Sequence, residues 1–147
     1  MNVSIDDLAK TALLADVPPE VLELIQAEST PLELMPGDVL LSPQCKNEHI
    51  YLLLSGTLGL HFGSVDSPEA SVLQPGVSVG EMSLFNHSSP MAYIVAREHC
   101  RVFPVHRDLI YHLVANANPI VRNLLRITSQ WLKNDIQYIL KDSVQKR

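Results

Sequence analysis

The residues best suited to chemistry lie in one stretch, Gly80-Glu81-Met82-Ser83-Leu84-Phe85-Asn86-His87-Ser88-Ser89-Pro90-Met91-Ala92-Tyr93. A short helix opening at Gly80 would present free backbone N–H groups and a positive dipole end to an anion. Glycine there lets the main chain approach a ligand closely. Glu81 puts a carboxylate in the first turn, where it is favoured in any case. His87 has two readings, an exposed loop residue or, when protonated, a partial positive charge. Elsewhere the chemistry is sparse. No Ser/His/Asp elbow, phosphate-binding Gly-rich loop or paired-carboxylate site is present. The six histidines, His49, His61, His87, His99, His106 and His112, show neither H-x-H nor H-x-x-x-H spacing, so no metal centre is expected.

The elements that must position this stretch fit one domain over residues 1–147. Hydrophobic residues make up 46% and charged residues 18%, the balance of a compact soluble protein. A net charge of −5 with 11 Lys+Arg argues against a nucleic-acid partner or an anionic membrane surface. No apolar run nears the roughly 18–20 residues of a membrane span, and the N-terminus shows no export signal. Cys45 and Cys100 are too isolated for a zinc knuckle; they fit a reducing cytoplasm, with a single bridge between them left open.

Ser4 with Asp7 predicts a capped helix from about Ile5 to Leu14. Pro18-Pro19 starts a second helix, which Pro31 stops. Over residues 32–106, short apolar runs (Ile50–Leu54, Thr57–Phe62, Met91–Ala96, Arg101–Val105) alternate with turn signals. That texture predicts an antiparallel sandwich or barrel. Val65–Glu69 is expected to be a polar loop. Residues 107–147 return to helix: Asp108–Ala115, then a long amphipathic helix from Asn118, with Leu132, Ile136, Leu140 and Val144 in one stripe. The helical pattern continues to Lys146-Arg147 without a stop signal and reads as a helix cut off there.

Four segments in order give this chain a resemblance to the cyclic nucleotide-binding domain family. Leu34–Leu40, Ile50–Leu58 and Leu73–Glu81 resemble its opening strands and the run into its phosphate-binding cassette, and residues 80–93 resemble the cassette itself. Gln44 departs from the glycine common at the second turn. The resemblance implies a β-roll or jelly roll with N-terminal helices and a long C-terminal helix. It implies a ligand-binding cassette of Gly80, Glu81, Met82, Ser83, Ser89, Pro90, Met91 and Ala92. In the family the residue matching Glu81 accepts hydrogen bonds from the ribose 2′-hydroxyl; the alternative is that Glu81 only supports its helix. Trp131 is either a lid over the base or a core or dimer contact.

Met91 stands where the family has a phosphate-gripping arginine. Losing one side of such a charge-assisted pair costs roughly 2–5 kcal/mol. At about 1.4 kcal/mol per tenfold, a micromolar site would weaken toward hundreds of micromolar. Arg97 lies ~20 Å along the strand and cannot substitute. Tyr93 and Ile94 are bulkier than the family's residues and are expected to crowd the cavity floor. The resemblance thus implies a non-enzymatic, cytoplasmic regulatory module without a cofactor. Its ligand would be cAMP or cGMP, weakly held, and the C-terminal helix would relay state and form a homodimer. The alternatives are the sensor part of a larger bacterial transcription regulator or diguanylate cyclase, and a cupin-like enzyme, which the histidine spacing disfavours.

Overall fold

The computed structural model describes residues 3–85, 88–116 and 118–145. Two helices, α1 (Ile5–Ala9) and α2 (Pro19–Glu28), precede strands β1 (Leu32–Leu34), β2 (Val39–Leu41), β3 (His49–Ser55), β4 (Leu58–His61), β5 (Glu69–Leu73) and β6 (Ser78–Val79). A short helix α3 (Glu81–Phe85), strands β7 (Tyr93–Ala96) and β8 (Cys100–His106), and helices α4 (Arg107–Asn116) and α5 (Asn118–Gln145) complete the chain. The strands form two four-stranded antiparallel sheets, ordered β1-β8-β3-β6 and β2-β7-β4-β5. This is the expected roll with flanking helices.

The apolar runs of β3 and β8 are continuous because both faces of that ladder are covered. Ile50, Leu52, Phe103 and Val105 point into a core shared with α1, α2, α4 and α5. Leu53 and Val102 point the other way, into the interior of the roll with Leu58, Leu73 and Ala96. The period-two alternation of the strands therefore places a helical core on one face and the roll cavity on the other.

The first helix is shorter than its sequence suggests. Ser4 Oγ accepts from the Asp7 amide at 3.0 Å, as a cap should, but α1 ends at Ala9. Thr11 Oγ1 donates to the Leu8 carbonyl at 2.7 Å, and Leu13 and Leu14 bury themselves in an irregular segment. The carbonyls that segment leaves open are met from α5: Asn123 Nδ2 donates to Leu13 O at 2.9 Å and to Ala15 O at 2.8 Å. Long-range pairing has overridden local helix propensity.

Smaller differences follow the same logic. β7 opens at Tyr93, not Met91, and Glu69 belongs to β5 rather than to the preceding loop. Gln44 sits in a turn closed by Cys45 N to Ser42 O at 3.1 Å. Its φ is not positive, so the turn has no need of glycine. Cys45 and Cys100 are free thiols, one exposed and one buried. The long helix runs as expected, although His87, Lys146-Arg147 and the side chains of Ile136, Leu140 and Val144 lie outside the described residues. Among the described residues no helix is long and apolar enough to cross a membrane.

Candidate functional site

The site begins with a glycine that has no substitute. Gly80 has φ 99°, and a Cβ there would lie 2.7 Å from both Asn47 Nδ2 and the His49 carbonyl. This close packing fixes where α3 starts. Asn47, which nothing in the sequence singled out, is the anchor. Its Nδ2 donates to Gly80 O at 2.9 Å and to Ser83 Oγ at 3.0 Å, and its Oδ1 accepts from the His49 amide at 3.1 Å. It is buried, so its polar groups need these partners. From the other side, Tyr111 of α4 packs edge-on to Phe85.

Held in this way, the segment forms one wall of a cavity of about 370 Å³. All nine positions implicated by sequence line it: Gly80, Glu81, Met82, Ser83, Ser89, Pro90, Met91, Ala92 and Trp131. Strands β2, β4 and β6, with Phe62 just after β4, supply residues that sequence reasoning missed, chiefly Leu41, Leu60, Phe62 and Val79. Their only sequence signal is strand alternation, which shows an inward face but no cavity.

Glu81 is 2% exposed. Burial pushes its carboxyl up to about 7; hydrogen bonding by its own backbone N–H, the Trp131 indole and the Ser78 hydroxyl offsets this only in part. Neither Ser78 Oγ nor Glu81 Oε2 closes a hydrogen bond of good geometry, although both are buried. The Ser78 hydroxyl therefore biases the acid by proximity rather than by a well-made bond. Trp131 is half-buried and packs against the interior of the roll as well as lining the cavity. One indole thus joins α5 to the carboxylate of α3.

Met91 is 74% exposed at the cavity rim. Among the described lining residues there is no lysine, arginine or histidine. Arg97 is engaged elsewhere, its Nε donating to Glu69 at 2.9 Å and its Nη1 to Thr57 Oγ1 at 3.1 Å. The expectation for Tyr93 needs correcting. Alternation from Ala92 into β7 turns Ala92, Ile94 and Ala96 inward, and Tyr93 does not line the cavity. Ile94 does, yet the cavity remains open. His49 and His106 meet edge-on with ring centroids 5.1 Å apart. Among the described residues no three His, Cys, Asp or Glu side chains converge as a metal site would require.

Comparison with known proteins agrees with this architecture. No curated protein matches by sequence. Several solved structures share the fold. A catabolite activator protein from Thermus thermophilus superposes with TM-score 0.74 at 21% identity over 90% of this chain and 63% of its own. A regulatory subunit of a cAMP-independent protein kinase A from Trypanosoma brucei, a triple mutant bound to cAMP in the A site, gives 0.75 at 22% identity over 93% of this chain and 49% of its own. A cAMP-binding acyltransferase from Mycobacterium smegmatis gives 0.70 at 27% identity over 88% of this chain and 40% of its own. The chain thus spans less than two thirds of each. The family profile described as cyclic nucleotide-binding domain matches residues 31–117, well over half of the sequence. This chain belongs to the cyclic nucleotide-binding domain family.

Proposed function

We propose that the chain is a non-enzymatic regulatory module that holds cAMP or cGMP weakly or not at all, and that reports the state of its cavity through α5. One observation carries this reading. Where a phosphate would need a guanidinium, the exposed thioether of Met91 stands at the rim, and no described lining residue offers a cation in its place. The trypanosomal relative supports it: its cAMP-bound form carries introduced changes that include threonine to arginine and, next to it, valine to alanine. Met91-Ala92 here has the alanine but not the arginine.

Relay through α5 rests on Trp131, which touches cavity and helix at once. A ligand shifts such a helix only by binding its two arrangements with different affinity. Leu125 and Leu132, seven residues apart on α5, are 65% and 61% exposed. That spacing suits a paired helix, so the proposed partner is a second copy of the chain. The shares of the relatives that this chain spans favour a further reading, in which α5 drives an output domain such as a transcription regulator or diguanylate cyclase.

Calorimetric titration with cAMP and cGMP tests the ligand reading. The expected dissociation constants are weaker than about tens of micromolar, and Met91→Arg should tighten cAMP binding at least about tenfold. Submicromolar binding by the unaltered protein would refute it.

A further inference from the structure

We propose that the cavity takes an uncharged, mostly apolar small molecule that presents one hydrogen-bond donor to Glu81 Oε2. The inference rests on the cavity being the module's ligand site and names the chemistry that site prefers.

The walls are aliphatic and aromatic: Leu41, Leu60, Val79, Ile94 and Phe62. The only ionisable group among the described lining residues is the Glu81 carboxyl, deep in the cavity. An anion entering here meets a buried acid and, among the described lining residues, no cationic side chain; only the amides that open α3, beside that acid, are left to offset its lost hydration. A neutral donor meets the reverse situation. Oε2 is buried without a partner, and an unmet acceptor of that kind is costly until something donates to it. The other inner polar groups are committed: Ser83 Oγ donates to Gly80 O at 3.2 Å and accepts from Asn47. Ser88 and Ser89 are exposed at the rim. Because burial holds the acid near neutrality at about 7, the cavity alternates between neutral and negative around physiological pH. Both forms retain acceptor capacity and neither attracts a phosphate. The volume of about 370 Å³ lies within the ordinary range for small-molecule pockets.

The chain has one tryptophan, so a nitrogen–proton correlation spectrum contains one indole signal, and it reports from inside the cavity. Three probes with a common ring separate the alternatives: naphthol, its methyl ether, and naphthyl phosphate. Naphthol should move the indole signal saturably. The ether, which cannot donate, should bind at least about tenfold more weakly, and the phosphate ester should leave the signal unmoved at the same concentrations. Glu81→Leu, with its fold verified from the amide spectrum, should bind naphthol and the ether alike. Equal binding of naphthol and ether by the unaltered protein would overturn the proposal, as would phosphate-ester binding as tight as that of naphthol. Either result would leave the regulatory-module reading standing. If none of the probes disturbs the indole, this proposal falls, while the regulatory-module reading, which allows cAMP not to bind, is left to the calorimetry above.

Discussion

Replacing Glu81 by glutamine should flatten the dependence of stability on pH across the weakly acidic range. The carboxyl lies at about 7 in the folded protein against an ordinary value of 4.5. The folded state therefore binds the proton more tightly than the unfolded chain does. Its contribution is fully present below about pH 4.5, declines as the pH rises toward 7, and stays lost above that. About 2.5 pH units at about 1.4 kcal/mol each gives a loss of about 3 kcal/mol. Urea unfolding at intervals from pH 4.5 to 8 would measure it, as the difference between wild type and Glu81→Gln. Burial lowers the pKa of His49, helped by the neighbouring charge of His106, but the histidines titrate alike in both proteins and cancel from that difference. Wild type should lose about 3 kcal/mol more than the variant over the range. Trp131→Phe, which removes an indole that favours the charged form, should move the decline to higher pH. Parallel curves for wild type and Glu81→Gln would show that the acid is not held apart from water, and the electrostatic account of the cavity would fail with it.

Two further outcomes follow from geometry alone. Gly80→Ala forces a Cβ against the His49 carbonyl and the Asn47 amide at a φ of 99°; a loss of about 2–4 kcal/mol in urea unfolding is expected, and a loss under about 0.5 kcal/mol would mean that α3 can start elsewhere. Leu125→Glu combined with Leu132→Glu should halve the mass seen by analytical ultracentrifugation while moving the stability of each subunit by no more than about 0.5 kcal/mol; an unaltered protein that is already monomeric would refute helix pairing.

The roll was legible because its turns are chemically marked and its strands alternate, and both signals are local. The end of α1 was not legible, since it depends on Asn123, far along the chain, satisfying the carbonyls of Leu13 and Ala15. The cavity stands between these cases. The small and aliphatic residues Ala92, just before β7, and Ile94 and Ala96 within it mark an inward face that could be read by alternation. Judging Tyr93 by bulk instead of parity put it on the wrong side. The anchoring role of Asn47 had no local signature, because its cassette partners Gly80 and Ser83 are brought to it only by the pairing of β3 with β6. The state of Glu81 was hidden for a similar reason: its isolation from water depends on α5 folding back over the roll.

Near its beginning α5 is bolted down by Asn123 and by the pair Arg122–Asp16 at 2.9 Å. Trp131 lies about 12 Å further along the axis, and Gln145 about 33 Å. A rod pivoting at its fixed end magnifies any tilt in proportion to distance. If a guest nudged the indole sideways by about 2 Å, the far tip would sweep between about 5 and 6 Å, close to the pitch of one helical turn. So short a push, applied near the fulcrum, would carry the far end sideways by about half the diameter of a helix, enough to disturb the packing of the proposed partner along α5.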